Sequence, residues 1–169
     1  MTPSNGIDHL APADGAPPKT LLNFFSWALK GSFPILILSG MTSILTGVIE
    51  VSAVLMLGML VDAAIASSPQ NPLGNQIWLF AVGVGFFLIL RPIIFGAFSY
   101  MQTIVVTPNI FNLVLSRLHR WTLGQPIQFF DNDFAGRIAQ KEMQTARAVT
   151  DVVVEVLHTV LFALASVIG

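Results

Sequence analysis

The sequence has 169 residues, of which 54% are hydrophobic and only 10% are charged, whereas charged residues make up about 25% of a typical soluble domain. With a mean hydropathy of +0.74, this balance indicates a membrane protein, and its long apolar runs predict an all-α fold. Eight Lys and Arg balance nine Asp and Glu without forming a basic stripe, which argues against nucleic acid as a partner, and the absence of Cys excludes a disulfide framework, a thiolate metal site and a Cys nucleophile.

The chain begins with a polar segment and a short amphipathic one. Residues 1–20 carry four Pro and two Gly with few apolar side chains, so we expect a disordered cytoplasmic tail. Residues 21–31 place their apolar side chains on one helical face, with Trp27 and Lys30 suited to the headgroup level. This pattern predicts a helix lying in the membrane interface, although the same residues also fit the first turns of the next span. Gly31 and Pro34 predict a bend between the two.

Two long apolar runs follow. The first, 33–61, would be about 43 Å long as a helix, more than the hydrocarbon core of a bilayer requires. The uncharged Ser/Pro/Asn/Gly stretch 66–75 predicts a short outer loop. The second run, 77–106, continues as a helical pattern to about residue 120, so we expect its end to project into water. Pro92 and Pro108 should kink this helix without ending it.

A third apolar run begins at about residue 152 and stops at Gly169. Asp151 and Glu155 precede it, and we interpret them as acids near a helix start, where the helix dipole favours negative charge. Because only about 21 Å of helix remains from Val156 onward, we expect the sequence to be a fragment of a longer polypeptide.

The positive charges indicate the orientation of the spans. None lies in the loop between the first two spans, whereas seven of the eight flank the other side, so the positive-inside rule predicts a cytoplasmic N-terminus and a cytoplasmic segment between the second and third spans. The Lys and Arg residues that carry this prediction are Lys19, Lys30, Arg117, Arg120, Arg137, Lys141 and Arg147.

The cytoplasmic segment 125–144, QPIQFFDNDFAGRIAQKEMQ, combines aromatic residues, acids and a Gly. Three Phe residues form an aromatic anchor, and Asp131 or Asp133 can cap a short helix that Gly136 ends. The alternative interpretation is a solvated connection whose aromatic residues pack on its own helices. The residues that we single out are Phe129, Phe130, Asp131, Asn132, Asp133, Phe134, Gly136 and Arg137.

This segment resembles the first intracellular loop of ATP-binding cassette (ABC) exporters. The family pattern is Phe-Phe-Asp, followed by a small residue, Gly and a later aliphatic residue. Phe129 to Asp131 match its first part, and Gly136 and Ile138 match the Gly and the aliphatic residue. Arg137 stands where the family has an acid, Gln140-Lys141 where Ser/Asn-Arg is usual, and Thr145 where a later acid is usual. With the amphipathic helix and the loop lengths, the resemblance extends over residues 21–169.

The resemblance implies the N-terminal part of an ABC exporter membrane domain, with long cytoplasmic helix extensions and a truncated third span. It implies a coupling helix over 129–137 that docks on a nucleotide-binding domain, in the same or a separate chain, within a homo- or heterodimer. The transported small molecule, lipid or peptide is not specified, and the expected location is a bacterial inner (plasma) membrane in contact with lipid. No G-x-x-x-x-G-K-[ST] motif is present, so ATP and Mg would belong to the nucleotide-binding domain, and we assign this chain no cofactor and no catalytic residue.

Two charged residues lie inside the apolar runs. Glu50 is about 11 residues from the outer loop and Arg91 about 14, so their depths in a helical hairpin differ by roughly 5 Å. An unpaired charge in lipid is costly, which predicts an intramembrane ion pair with either a structural role or a role in a transport pathway. The small residues Gly40, Ser43 and Gly47 share one face of the first span, which favours close helix packing over a pore lining.

A metal site is set aside at this point, and two other functions stay open beside an exporter. Asp151, Glu155 and His158 have helical spacing, but acids at a helix start need no metal to explain them, and we predict no metal site. Besides an exporter, the pattern allows a non-transport membrane scaffold whose cytosolic loop docks a soluble partner. It also allows a channel or secondary carrier that depends on Glu50 and Arg91.

Overall fold

The computed structural model describes residues 15–66, 76–131 and 135–168, and these residues form helices joined by turns, with no strand among them. The all-α prediction is confirmed. We number the helices α1 to α5 in chain order, and α3 and α5 are each continuous over several helical segments: α1 (Leu21–Leu29), α2 (Phe33–Ala66), α3 (Ile77–Leu123), α4 (Ile127–Asp131) and α5 (135–168).

Three of the helices are long and apolar enough to cross a membrane. They are Phe33–Ala66 with 34 residues, Ile77–Leu123 with 47 and Gly136–Ile168 with 33. In their most apolar windows only 22%, 6% and 11% of the residues are buried within the chain. The protein is therefore a membrane protein whose apolar surface is left for lipid or other helices to cover.

Helix α3 runs through both prolines, as predicted. A π turn precedes each of them: Phe86–Leu90 lies before Pro92, and Met101–Val106 before Pro108. In the first turn the amide of Arg91 donates to the carbonyl of Phe86, five residues back. The wider turn lets the helix pass a residue that has no amide hydrogen to donate.

Helix α2 packs closely against the end of α5. A Cβ atom added to Gly47 would lie 2.7 Å from Cβ of Ala165 and 2.9 Å from the carbonyl oxygen of Phe162, and Ser43 is only 1% exposed. The stripe of small residues on α2 thus allows the two backbones to approach each other, which confirms the packing role predicted for it.

Gln102 connects three helices inside the second π turn. Its Oε1 accepts a hydrogen bond from Ser39 Oγ of α2 at 3.2 Å, and its Nε2 donates to the carbonyl of Val154 of α5 at 3.3 Å. Gln102 is 9% exposed, so this polar contact lies within the packed helices and fixes their relative depth.

The main core lies where the C-terminal part of α3 packs against the N-terminal part of α5 and against α1. This core buries Trp27, Ala28, Leu29, Ile35, Val105, Val106, Ile110, Leu113, Val114, Leu118, Ala146, Val149 and Val153. We call the paired segments Thr107–Leu123 of α3 and Ala135–Glu155 of α5 the stalk.

Two predictions about helix ends are wrong. We expected Asp151 and Glu155 near the start of the third helix, but α5 begins at Ala135, so both acids lie in its interior. The residues between Arg137 and Val149 are mostly good helix formers. The helix therefore begins well before the apolar run, and its first part extends into water. The first span also continues beyond the expected residue 61, to Ala66.

Candidate functional site

The tip of the stalk connects α3 to α5. After the turn at Gly124, the short helix α4 (Ile127–Asp131) begins, and the amide of Phe129 donates to the carbonyl of Pro126 at 2.9 Å. We predicted one short helix over 129–137 that Gly136 ends, whereas α4 begins earlier and Gly136 lies in the first turn of α5. Gly is tolerated there because the first amides of a helix have no partner within the helix.

Several of the predicted residues at the tip can be placed and others cannot. The side chain of Asp131 and the whole of Asn132, Asp133 and Phe134 lie outside the described residues. Arg137 is exposed in the first turn of α5. The aromatic anchor is therefore built, within the part that the structure describes, on Phe129 and Phe130.

These two Phe side chains have different surroundings. The ring of Phe129 meets Trp121 of α3 edge to face at 6.2 Å, and it meets Phe130 in the same manner at 5.4 Å. Phe129 is half-buried by these contacts, whereas Phe130 is 36% exposed. Packing on the chain's own helices thus accounts for Phe129, whereas Phe130 lies at the surface.

A groove of about 460 Å³ opens between α3 and α5 beside this cluster. His119 Nδ1 of α3 lies 3.2 Å from Glu142 Oε2 of α5, which joins the two helices at the level of the groove. The other oxygen of Glu142 is buried with no hydrogen-bond partner among the described residues. The residues that line the groove are Leu118, Trp121, Thr122, Phe129, Ile138, Lys141, Glu142 and Thr145.

Arg117 holds α1 on the stalk. Its Nη1 donates to the carbonyl of Trp27 at 2.8 Å and to that of Ala28 at 2.9 Å, and its Nη2 donates to the carbonyl of Lys30 at 2.6 Å. The last carbonyls of a helix have no partner within the helix and carry partial negative charge, so the guanidinium satisfies the C-terminal end of α1. Gly31, with φ of 91°, then turns the chain into α2.

Sequence reasoning missed this role because it counted Arg117 only as one of the positive charges on the cytoplasmic side. A signal was present: Arg117 follows Leu113 and Val114 at helical spacing, on the face of α3 that becomes buried. Arg117 is 4% exposed. A charge on the apolar face of an amphipathic helix indicates a fixed partner.

Replacing Arg117 by Lys should loosen α1 from the stalk. Lys keeps the charge but is a compact ammonium group, without the planar fork that reaches three carbonyls at once. We expect hydrogen exchange of the amides in α1 to accelerate about tenfold or more, as expected when several hydrogen bonds to a charged group are lost. In the control Arg120→Lys, at an exposed position, exchange should stay at the parental rate; unchanged exchange in Arg117→Lys would contradict the role.

Glu50 and Arg91 meet between α2 and α3. Arg91 Nη2 lies 2.7 Å from Glu50 Oε1, and the side chains of Arg91 and Glu50 are 39% and 29% exposed. The guanidinium carbon also lies 5.5 Å from the centre of the Phe95 ring, a cation–π distance. The structure thus brings the two charges together, with both side chains partly exposed.

Asp151, Glu155 and His158 do not form a cluster. Glu155 accepts a hydrogen bond from Thr159 Oγ1, and the His158 ring stacks with Phe98 at 5.3 Å and with Phe162 at 6.0 Å. No group of metal-binding side chains occurs among residues 15–66, 76–131 and 135–168. These contacts place His158 in an aromatic packing role between α3 and α5.

Comparison with known proteins gives one distant relationship. No family model and no solved structure matches the chain. The chain is 28% identical over 149 residues to an uncharacterized ABC transporter ATP-binding protein of Haemophilus influenzae (strain ATCC 51907 / DSM 11121 / KW20 / Rd), a match that covers 88% of this chain and 24% of that protein. The chain thus spans about a quarter of the length of this relative. Its fold is that of a helical membrane protein, and its sequence is distantly similar to an ABC transporter protein.

Proposed function

We propose that this chain is the N-terminal part of the membrane domain of an ATP-driven ABC exporter. In this proposal the tip of the stalk receives motion from a nucleotide-binding domain and passes it to the spans. The full protein would bind ATP and Mg in that domain, work as a homo- or heterodimer in a bacterial inner membrane, and have its N-terminus and stalk in the cytosol. The similarity to an ABC transporter protein supports this proposal.

The observation that carries the proposal is the stalk itself. The Thr107–Leu123 segment of α3 has 17 residues and extends about 25 Å beyond the apolar part of the helix. It packs against α5 through a shared buried core. In this proposal the two packed helices move together and carry a displacement of the tip to the spans.

The contacts at the tip explain how it can act as a docking element. Phe129 fixes α4 on the stalk through Trp121, and Phe130 stands on the other side of Phe129 at the surface. Aromatic residues, Phe among them, are enriched in the buried core of protein interfaces. Phe130 is accordingly the anchor that we assign to the nucleotide-binding domain.

The test is Phe130→Ala in the full-length protein in liposomes, with ATP hydrolysis and the efflux of a panel of hydrophobic dyes measured together. We expect the number of dye molecules exported per ATP to fall about thirtyfold, because truncating a buried aromatic anchor costs about 2 kcal/mol. Met143→Ala is the control and should leave the ratio unchanged, since Met143 is also an exposed apolar residue, at 55%, but lies on α5 about two turns away from α4. Unchanged hydrolysis and efflux in Phe130→Ala would refute the docking role.

The paired charges favour a second candidate, a channel or secondary carrier. A half-exposed ion pair between two spans is the arrangement found where charged residues face an ion or substrate path. In that case, transport by the parent protein would continue without ATP and would be abolished in Glu50→Gln. Transport that stops when ATP is withdrawn supports the exporter instead.

A further inference from the structure

A second groove between α3 and α5 lies where the stalk meets the apolar parts of these helices, and we call it the boundary groove. It has a volume of about 270 Å³ and lies beside the second π turn of α3. Thr107 and Phe111 of α3 line one wall, and Arg147, Thr150 and Asp151 of α5 line the other. The residues that form it all lie well inside the described ranges.

Arg147 and Asp151 give the boundary groove one positive and one negative group. They lie one helical turn apart on α5, and both are exposed. Among the described residues neither side chain makes an ion pair or a hydrogen bond, not even with the other. An acid that precedes a base is the better order for pairing along a helix, and here the order is reversed. Both charges are therefore available to a ligand that carries the opposite pair of charges.

Hydroxyl groups add hydrogen-bond acceptors to the groove that contains Asp151. Thr107 Oγ1 donates its hydrogen to the carbonyl of Gln102 at 2.8 Å. Thr150 Oγ1 donates to the carbonyl of Ala146, also at 2.8 Å. A hydroxyl has one hydrogen and two lone pairs, so each of these oxygens can only accept a further bond. Together with the carboxylate, they suit a ligand group with several N–H donors, such as a primary ammonium.

The level of the groove points to a membrane lipid. The apolar run 77–106 of α3 ends at the groove, and the apolar run of α5 begins there, at about residue 152. Lipid headgroups lie at this boundary, and a guanidinium binds phosphate oxygens through parallel hydrogen bonds. We propose that the boundary groove binds the headgroup of phosphatidylethanolamine, with its phosphate on Arg147 and its ammonium on Asp151 and the two Thr oxygens. This site does not depend on the proposed exporter function.

The experiment is native mass spectrometry of the detergent-purified full-length protein, titrated with phosphatidylethanolamine, phosphatidylcholine and phosphatidylglycerol that have the same acyl chains. We expect phosphatidylethanolamine to bind about tenfold more tightly than phosphatidylcholine, because the choline group has no N–H to donate to Asp151. Phosphatidylglycerol should also bind more weakly, since its glycerol carries no positive charge. These ratios are measured within one preparation, so they do not depend on the amount of folded protein.

Two single substitutions separate the two ends of the headgroup. Asp151→Asn removes the negative charge, so phosphatidylethanolamine should bind only about as tightly as phosphatidylcholine. Arg147→Gln removes the guanidinium, so all three lipids should bind about tenfold more weakly while phosphatidylethanolamine stays preferred. Both side chains are exposed, so neither substitution should lower the thermal midpoint in detergent.

The controls remove the same charges outside the groove. Glu155 lies one turn beyond Asp151 on α5 and Arg120 lies on α3, and neither lines the groove. Glu155→Gln and Arg120→Gln should bind the lipids as the parent does. Glycerophosphoethanolamine, which has the headgroup without acyl chains, should bind more weakly than the lipid, and equal binding would refute a lipid as the ligand. The proposal is also overturned if phosphatidylethanolamine and phosphatidylcholine bind the parent equally, or if either Asp151→Asn or Arg147→Gln behaves as the controls do.

Discussion

Substitution of Gly47 by Ala is expected to destabilise the protein strongly, whereas the same substitution at Gly58 should leave its stability almost unchanged. The new Cβ at position 47 would lie 2.9 Å from the carbonyl oxygen of Phe162 and 2.7 Å from Cβ of Ala165. Neither atom belongs to the end of a flexible side chain, so α2 and α5 must move apart. Overpacking of this kind costs about 1–3 kcal/mol.

Three Gly residues on α2 form a graded series for this measurement. At Gly40 the nearest atom to an added Cβ is Leu161 Cδ1 at 3.0 Å, which belongs to a side-chain end that can shift. At Gly58 nothing lies within 4 Å. The thermal midpoint in detergent should therefore fall by several degrees for Gly47→Ala, less for Gly40→Ala, and hardly at all for Gly58→Ala. Equal midpoints for Gly47→Ala and Gly58→Ala would show that α2 and α5 do not pack through this stripe.

Removing one member of the Glu50–Arg91 pair should have the second large effect, and the two single variants should differ. Glu50→Leu leaves a guanidinium that cannot lose its proton, and an unpaired Arg at the centre of a spanning helix costs about 2.5–3.5 kcal/mol or more. Arg91→Leu leaves a carboxyl that can become neutral by taking up a proton. We therefore expect Glu50→Leu to be the more destabilising of the two.

The double variant tests whether the pair acts as a unit. Replacing both charges by Leu removes the unpaired group together with its cost, so stability should recover above that of Glu50→Leu, as measured by the thermal midpoint and by the yield of folded protein. If the double variant is as unstable as the sum of the singles, the two charges do not interact in the folded protein. Recovered stability with lost transport would assign the pair a role in the transport path, whereas recovered transport would make it structural.

Sequence reasoning predicted the parts of the fold that follow from the hydropathy of the sequence. Three apolar runs gave three helices, and Pro92 and Pro108 did not end α3 because a wider turn next to each accommodates the missing hydrogen bond. The closeness of Glu50 and Arg91 was readable because counting residues along two antiparallel helices gives their depth. The length of a helix and the depth of a residue along it depend only on the number of residues, so both can be counted from the sequence.

The parts that sequence reasoning missed depend on which helix face meets which neighbour. Gly136 was taken as a helix end because Gly often terminates helices, but in the structure it lies in the first turn of a new helix. Arg117 was counted only as one of the positive charges on the cytoplasmic side. In the structure it donates hydrogen bonds to carbonyls at the C-terminal end of α1, about 90 residues earlier in the chain. The helical spacing of Arg117 with Leu113 and Val114 indicates a buried position, but contacts over such a distance arise from tertiary packing, so a single sequence does not identify the partner.

The second π turn of α3 has a consequence for how this protein tolerates insertions and deletions. It lies at Met101–Val106, between Arg91, which faces α2, and Arg117, which faces α1. A π turn holds one residue more than an α turn, so loss of one residue would let it close as an α turn. Each further residue lost would rotate one part of the helix by about 100° and turn one of these guanidinium groups away from its partner. The turn sets the rotation of the stalk part of α3 about the helix axis relative to its apolar part. Its length is therefore more tightly constrained than its amino-acid composition.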